Sequence, residues 1–261
     1  MANPAGRPPV LRMEGVDKTF AGRVTALRAM SLSVNQGDFL SLLGPSGCGK
    51  STALRLIAGL APPSAGRIAW EGGQGENDLG VVFQEATLMP WATVAHNVWL
   101  PFRLRGQSFA SVRDRVSEAL DLVGLAGFED AYPRELSGGM KMRVSIARAM
   151  VTRPRLILMD EPFAALDEIT RFKLNNDLLA MREKLDCTVI FVTHSVFESV
   201  FLSDRIVVMA ARPGRVIREL GVDEAYPRTE DFRTSADYAA HCRATSAALH
   251  EAMGDLPHDD H

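Results

Sequence analysis

The chain has 261 residues, of which 46% are hydrophobic, and its 29 basic and 32 acidic side chains give a formal net charge of -3. This is an ordinary globular composition, and it contains no Lys/Arg-rich run of the kind that binds nucleic acid. No stretch reaches the roughly 18 apolar residues of a membrane-spanning helix, and the first ten residues lack the apolar region of a signal peptide. The three cysteines are far apart in sequence and support neither disulfides nor a zinc site. We therefore expect an intracellular, cytosolic protein.

The charge is unevenly distributed along the chain. Residues 223–261 contain nine acidic and three basic side chains, a balance of -6, so residues 1–222 carry +3. Four of the six histidines also lie in the last segment: His241, His250, His258 and His261. We therefore predict a body at 1–222 and an acidic C-terminal tail at 223–261, partly helical at 236–252.

The N-terminal part of the body predicts alternating extended and helical elements. Residues 10–35 form two extended stretches around a turn at 21–23, and 39–43 is a buried strand. A helix at 50–58, a turn at 72–75 and another strand at 79–83 follow.

The rest of the body predicts a helical insertion followed by more strands. Residues from about 85 to 151 show apolar residues at helical spacing, such as Val112, Val116 and Leu120, and the Pro and Gly residues between these runs favour a small insertion over a second domain. Strands are then predicted at 156–159, 188–192 and 205–209, alternating with helices at 166–185 and 196–202. This alternation predicts an α/β fold with a parallel sheet covered by helices.

A phosphate-binding loop is predicted between the strand at 39–43 and the helix at 50–58. Residues 44–51 fit the pattern G-x-x-x-x-G-K-[ST] in the required strand-loop-helix context. Backbone N–H groups and the helix N-terminus would face the phosphates, Lys50 would bridge the β- and γ-phosphates, and Ser51 would bind Mg²⁺. The alternative is a chance Gly-rich turn. It is disfavoured because a predicted strand precedes the loop and a predicted helix follows it. Kinases, G proteins, helicases and transport ATPases all carry such a loop.

Polar side chains at two strand ends are candidates for the chemistry. Asp160 would hold Mg²⁺ and Glu161 would orient or deprotonate an attacking water, unless they are only a solvated charge pair. His194 follows the strand at 188–192 and could reach the γ-phosphate, although a lone histidine there is often just a polar strand end. We interpret His96, which lies in the helical stretch, as structural.

A second glycine-containing motif, at residues 136–140, precedes a predicted helix. Ser137 suits an N-cap, and two glycines at a helix start cost stability unless the backbone approaches something closely. An anion at this helix N-terminus would be a reason for them. Because the motif is far from Lys50 in sequence, it could serve a different nucleotide from the one held by its own phosphate loop.

From about residue 10 to residue 220 the chain resembles the ATP-binding subunits of ABC transporters. That resemblance implies a P-loop NTPase cassette with a mixed or parallel sheet core, an antiparallel β subdomain and a helical subdomain inserted at about 85–151. It implies ATP and Mg²⁺ as ligands. It assigns Walker A to Gly44, Pro45, Ser46, Gly47, Cys48, Gly49, Lys50, Ser51 and Thr52.

The resemblance assigns the remaining motifs as well. Gln84 resembles the Q-loop glutamine, which binds Mg²⁺, and Asp160 and Glu161 resemble the Walker B aspartate and the catalytic glutamate. His194 resembles the switch histidine, and Phe20 the aromatic residue that stacks on adenine, although Phe20 could instead be a core aromatic. The family's signature motif corresponds to Ser137, Gly138, Gly139 and Met140 of this chain, which resemble it. Asp167 resembles the aspartate of the D-loop.

Residues 83–85, 88–91 and 163–168 are similar to the nitrate, sulfonate and taurine importer branch, in which a methionine such as Met140 also replaces the commoner signature glutamine. Residues 141–145 and 193–198 look closest to subunits for pyrimidine-precursor or riboflavin-type uptake, whereas Ser195 departs from the usual aspartate. The resemblance implies a head-to-tail homodimer with ATP at its interface, permease subunits docked near residues 85–99, a solute-binding protein, and a peripheral place on the cytoplasmic face of the inner membrane. The apolar residues of 85–99 could equally belong to the core of the helical subdomain. An exporter subunit or a non-transport ABC ATPase is the alternative.

Overall fold

The computed structural model describes residues 7–21, 24–73, 75, 78–185 and 187–254. The chain divides into two compact units. The first unit comprises Met1–Gly75 and Thr188–His261, and the second unit is the intervening segment Glu76–Cys187. The domain boundary at residue 222 and the insertion limits of 85–151 stay predictions.

An antiparallel sheet of three strands forms one part of the first unit. Its strands are β1 (Pro9–Phe20), β2 (Val24–Asn35) and β4 (Ala65–Trp70), in the order β2-β1-β4. Leu11 of β1 pairs with Val34 on one side and with Trp70 on the other. This sheet confirms the two extended stretches predicted before residue 35. The predicted turn at 21–23 lies partly outside the described residues.

A second sheet in the first unit is built on three parallel strands. They are β3 (Phe39–Leu43), β7 (Thr188–Thr193) and β8 (Arg205–Ala210), with β3 paired to both of the others. The antiparallel strand β9 (Arg215–Gly221) pairs with the outer edge of β8. Every residue of β3, β7 and β8 is buried, as expected for strands covered on both faces. The three strand predictions are therefore confirmed.

The first unit also contains helices. They are α1 (Lys50–Ile57), α6 (Val196–Leu202), α7 (Glu230–Arg233) and α8 (Ala236–Gly254). The last helix packs against α6 and β8, with Tyr238, Cys242 and Ala248 among its buried residues. The tail therefore contains a 19-residue helix that packs on the first unit, longer than the predicted short one. His258 and His261 lie outside the described residues.

In the part of the second unit that the structure describes, there are a pair of parallel strands and four α-helices. The strands are β5 (Leu79–Val82) and β6 (Leu156–Asp160), and the helices are α2 (Val94–Arg103), α3 (Phe109–Leu122), α4 (Gly138–Met150) and α5 (Glu168–Leu185). A short 3-10 helix spans Pro133–Glu135. The predicted apolar stripe of α3 is buried, which confirms the helical interpretation of the middle segment.

Side-chain caps explain where these helices begin. Thr93, Ser108 and Ser137 precede α2, α3 and α4, and each side-chain oxygen accepts a backbone N–H three residues ahead. Within the described residues, no helix is both long enough and apolar enough to cross a membrane.

Candidate functional site

The loop between β3 and α1 adopts a conformation that depends on glycine. Gly47 and Gly49 have φ angles of 76° and 93°, in the left-handed region that glycine tolerates best. A side chain on Gly49 would come within 2.8 Å of the Ala26 carbonyl oxygen, and one on Gly44 would come within 2.6 Å of the Met209 carbonyl oxygen. The loop is thus packed closely against β2 and β8, and its glycines permit that approach.

Lys50 is held inside this loop. Its ammonium nitrogen Nζ donates to the carbonyl oxygens of Gly44 (2.7 Å) and Pro45 (3.1 Å), and the side chain is only 5% exposed. A buried ammonium group fixed by the loop backbone is a preorganised positive charge. This cradle fits a phosphate anion, for which Lys50 would be the positive partner.

Cys48 lies beneath the same loop and is fully buried. Burial raises the pKa of its thiol, and the nearby Lys50 ammonium opposes that rise. The thiol is therefore neutral at physiological pH and packs as a small apolar side chain.

His194 lies beside the phosphate loop at the carboxyl edge of the first unit's parallel sheet. Leu43, the last residue of β3, is in register with Thr193, the last residue of β7. Gly44 and His194 therefore leave neighbouring strands at the same level, and His194 is exposed there. Ligands bind at this edge of parallel α/β sheets.

The second unit brings three of the predicted site residues to one strand edge. Val82 of β5 pairs with Met159 of β6, so Gln84 follows one strand while Asp160 and Glu161 end the other. Gln84 is exposed, and the two acidic residues are partly exposed. Glu161 has a φ of 47°, a left-handed conformation that is uncommon for a residue with a side chain and is typical of functional turns.

The signature motif packs against the start of α5. Ser137 caps α4 as predicted, because its hydroxyl accepts the Met140 N–H at 3.3 Å. A side chain on Gly139 would lie 2.7 Å from Cγ2 of Thr170, so this glycine allows the close approach of α5. Gly138 is exposed, and its backbone lies in the first turn of α4.

Asp167 begins α5 on the other side of this contact. Its Oδ1 accepts the Thr170 N–H at 2.9 Å, and hydrogen bonds from the Thr170 side chain and backbone lower the pKa of the Asp167 carboxyl. The carboxylate is exposed and remains ionised at neutral pH. The signature and the D-loop therefore form one packed surface of the second unit.

A family model described as ABC transporter matches residues 27–164. This span covers more than half of the chain. The chain belongs to the ABC transporter family, as one of its ATP-binding subunits.

Curated relatives with this cassette extend the match over most of the chain. An uncharacterized ABC transporter ATP-binding protein of Methanocaldococcus jannaschii is 47% identical, with 87% of this chain and 86% of that protein covered. The nitrate import ATP-binding protein NrtD of Synechocystis is 42% identical, with 85% and 88% covered. An aliphatic sulfonates import ATP-binding protein, SsuB of Bacillus cereus, is 42% identical, with 84% and 88% covered.

Solved ABC cassettes have the same fold. A dimeric cassette in a post-hydrolysis state, bound to ADP and Pi, superposes with a TM-score of 0.71 at 32% identity, covering 82% of this chain and all of that one. CbiO1 of Clostridium perfringens, part of the ABC transporter complex cbiONQ, gives a TM-score of 0.76 at 26% identity, covering 95% and 100%. These matches confirm the predicted cassette fold, and the protein is an ABC-type ATPase.

Phe20 is the last residue of β1 in this ABC cassette. Its ring is 43% exposed at the end of β1, so it is not a core aromatic, and the Lys18 ammonium lies 5.2 Å from the ring centroid. Its role in stacking on adenine stays a prediction.

Residues that support the ABC motifs were missed by the sequence interpretation. Gly214 lies against the phosphate loop, because a side chain there would collide with the Cys48 carbonyl oxygen. Asn97 and Arg148 hold the segment after Gln84, through hydrogen bonds to backbone carbonyls at residues 86–93. No local motif could have revealed them, since each acts on a segment distant in sequence or on backbone atoms.

Proposed function

We propose that this chain is the ATP-hydrolysing subunit that energises an ABC importer of a small organic or anionic solute. The observation that carries the ATPase part is the buried Lys50 ammonium held by the loop carbonyls beside the His194 strand end. The branch similarity to nitrate and sulfonate import subunits supports the importer part. The favoured solutes resemble nitrate, sulfonates and taurine, or a pyrimidine precursor.

The phosphate loop residues bind the triphosphate. Backbone N–H groups of residues 44–52 surround the β- and γ-phosphates, and Lys50 neutralises their charge. The side chains at Pro45, Ser46 and Cys48 need only fit the loop, whereas Gly44, Gly47 and Gly49 permit its shape. Phe20, exposed at the end of β1, offers its ring face to adenine.

Ser51, Gln84 and Asp160 are proposed to hold Mg²⁺. Their hydroxyl, amide and carboxylate oxygens are the hard donors that this cation prefers, so the donor set fits it. When bound, Mg²⁺ neutralises developing charge on the phosphate oxygens. Asp160 ends the otherwise buried strand β6 and is itself partly exposed, which leaves its carboxylate accessible to an ion.

Glu161 and His194 are proposed to promote hydrolysis. The Glu161 carboxylate accepts a proton from the attacking water, or orients that water, and the His194 imidazole donates a hydrogen bond to the γ-phosphate. Gln84 contacts the same water and couples it to the segment that follows β5. Each of these side chains leaves the carboxyl end of a parallel strand, where its loop is free to approach a ligand.

The functional unit is proposed to be a head-to-tail homodimer. In it the signature residues Ser137, Gly138, Gly139 and Met140 of one subunit face the nucleotide on the partner, and Asp167 lies at the same interface. The packed surface formed by the signature and the D-loop supports this arrangement. The dimeric cassette bound to ADP and Pi offers a precedent within the family.

A permease contact is proposed at the cavity of the second unit, on the cytoplasmic face of the inner membrane. This cavity has a volume of about 450 Å³ and is lined by Phe83, Leu100, Leu104 and Arg105, among others. Trp91, 76% exposed in the segment after Gln84, is a further exposed apolar side chain of the same unit. A solute-binding protein would deliver the solute to the permease from the other side.

Transport direction tests the importer proposal. The full chain would be reconstituted into vesicles with candidate permease subunits and a candidate solute-binding protein, with ATP on the side of the cassette. We expect labelled nitrate, taurine or a pyrimidine precursor to move from the side of the solute-binding protein to the side of the cassette. Export of solute would support the exporter alternative, and ATP turnover unaffected by the permease would support a non-transport ATPase.

A further inference from the structure

The helix after His194 is held at both ends by side chains of the C-terminal tail. Tyr226, Arg228, Arg233 and Tyr238 make these contacts and are called the clamp below. Helix α6 has seven residues, too few to be stable alone in water. At its start, Ser195 accepts the Glu198 N–H, while the Thr193 hydroxyl accepts the Ser195 N–H at 3.0 Å and donates to the buried Glu198 carboxylate at 2.5 Å. His194 therefore sits between a strand and a helix whose ends are hydrogen-bonded to each other.

The other end of α6 is capped by a single buried arginine from the tail. Arg228 is 5% exposed, and its Nη1 donates to the carbonyl oxygens of Val200 (2.9 Å), Phe201 (3.0 Å) and Ser203 (2.9 Å). Carbonyl groups in the last turn of a helix have no partner within the helix, and a positive charge there is favourable. Arg228 supplies both the donors and the charge.

Aromatic and polar contacts from the same tail complete the clamp. The Tyr226 hydroxyl donates to the Leu202 carbonyl oxygen at 2.8 Å, and the Tyr238 hydroxyl donates to the Phe197 carbonyl oxygen at 3.0 Å. The Arg233 guanidinium lies 3.6 Å from the centroid of the Phe201 ring. The tail therefore contacts α6 at its first turn and at its last.

Arg228 is itself fixed from the tail side. Its Nη2 donates to the carbonyl oxygens of Val222 (3.2 Å) and Glu224 (3.1 Å), and its guanidinium lies 4.3 Å from the centroid of the Tyr226 ring. A guanidinium has five donors in a rigid plane, so it can bind two segments of chain at once. It thus joins the start of the tail to the end of α6.

We propose that Arg228 is a positioning residue for ATP hydrolysis, which holds α6 so that His194 faces the γ-phosphate. This inference rests on the proposed role of His194. The acidic tail is, in this account, part of the hydrolytic machinery of the cassette rather than an appendage. The hydrogen bonds of Arg228 described above go to the end of α6 and to the start of the tail. Because its proposed role is in the hydrolysis step, its loss should lower kcat without changing ATP affinity.

The test compares ATP turnover of the full-length Arg228→Ala variant with that of Arg243→Ala. Arg243 is an exposed arginine of α8 whose side chain makes no hydrogen bond or ion pair within the described residues, so the two variants lose the same charge. For Arg228→Ala we expect kcat to fall roughly tenfold with the KM for ATP within about twofold, because a small misplacement of a catalytic group costs rate. Arg228→Lys should restore part of kcat, and Arg243→Ala should match the parent.

A double variant separates positioning from a general loss of stability. If Arg228 acts through His194, adding Arg228→Ala to His194→Ala causes no further fall in kcat. Losses that multiply, or a folded Arg228→Ala protein with unchanged kcat, would overturn the inference while leaving the role of His194 intact. Unchanged turnover in His194→Ala alone would instead contradict the proposed function, and the positioning role with it.

A milder variant covers the case in which Arg228→Ala fails to fold. Tyr226→Phe removes one hydroxyl from the clamp and keeps the ring under the Arg228 guanidinium. We expect the NMR signal of the His194 imidazole Cε1–H group to shift in this variant. The same signal should be unchanged in Arg243→Ala. An identical His194 signal in Tyr226→Phe and in the parent would overturn the inference.

Discussion

At the scale of single residues, the phosphate loop owes its shape to glycines on both sides of it. Gly44 and Gly49 belong to the loop and allow it to lie on β8 and β2, respectively. Gly214 is outside the motif, yet its backbone occupies the space directly beside the Cys48 carbonyl oxygen. The Gly214 carbonyl oxygen accepts the Arg28 N–H at 2.9 Å, and its N–H donates to the Ala26 carbonyl oxygen at 3.0 Å. The loop is therefore supported by a segment far from it in sequence.

Gly214→Ala should impair nucleotide binding. Its Cβ would collide with the Cys48 carbonyl oxygen and lie 2.8 Å from that of Ala26, so backbone atoms must move. We expect a loss of about 1–3 kcal/mol in the free energy of unfolding, as for other overpacked sites, together with a raised Kd for ATP. Titration calorimetry and urea unfolding measure the two effects.

Gly221→Ala is the matched control for this variant. Gly221 ends β9, and the nearest atom to an added Cβ there is Asp223 Oδ1 at 3.7 Å, an ordinary contact. Both the free energy of unfolding and the Kd for ATP should stay close to those of the parent. Equal effects of the two substitutions would contradict the account of Gly214.

At the scale of elements, one buried amide organises the segment between Gln84 and α2. Asn97 is completely buried, and its Nδ2 donates to the carbonyl oxygens of Met89 (3.2 Å), Ala92 (3.1 Å) and Thr93 (3.0 Å), while its Oδ1 accepts the Met89 N–H at 2.7 Å. Arg148 of α4 binds the same segment further back, at Ala86 and Thr87. The segment that follows the Q-loop is therefore an ordered structure, with Trp91 displayed on its surface.

Asn97→Ala should destabilise this segment. The partly buried backbone groups of Met89, Ala92 and Thr93 would lose the Asn97 amide as a partner, at a cost of about 1–3 kcal/mol for each group left unsatisfied. We expect a fall of more than about 2 kcal/mol in the free energy of unfolding, measured by urea denaturation. Gln107→Ala, at an exposed amide side chain that makes no hydrogen bond within the described residues, should change it by less than about 0.5 kcal/mol. A comparable loss in both variants would show that Asn97 has no special role.

The elements differ in how far the sequence could predict them. Strand β3 was predicted at its observed limits, because a short apolar run before a glycine-rich loop is a local signal, and the same holds for α6. Strands β4 and β9 were missed, since they lie at sheet edges and their half-exposed residues show no clear alternation. The site motifs are local patterns and were predictable. Gly214, Asn97 and Arg228 act through tertiary contacts that no local pattern contains.

At the scale of the whole molecule, buried titratable groups link stability to alkaline pH. Burial raises the pKa of the Cys48 and Cys242 thiols, and burial also raises the pKa of the Tyr238 hydroxyl. In the unfolded chain a thiol ionises near its ordinary pKa of about 8.5, whereas the buried thiols stay protonated. The native state then binds more protons than the unfolded state, so the stability contributed by these groups is complete below that pH and is lost as pH rises.

The free energy of unfolding should therefore fall as pH rises from about 8 to about 10. Urea denaturation across this range, with a reductant present, measures the slope. The double variant Cys48→Ala, Cys242→Ala should show a shallower slope, because the two thiols no longer contribute to it. A slope that is flat in the parent, or identical in the two proteins, would contradict the assignment.

The two parts of the charge distribution have different places in the molecule. The tail, with its balance of -6, contributes α7 and α8 to the first unit, and its buried arginine caps the helix next to His194. The body carries the nucleotide motifs in both units. The chain is thus a single cassette in which the last elements in sequence support one of the proposed catalytic side chains.

ATP turnover by Glu161→Gln tests the central proposal most directly. Glutamine keeps the shape of the side chain at this left-handed position but cannot accept a proton, so the variant separates binding from hydrolysis. We predict that turnover falls by about 10²–10³-fold while the protein still binds ATP and accumulates as a dimer in its presence. Turnover equal to that of the parent, with ATP tightly bound, would contradict the assignment of Glu161 as the catalytic base.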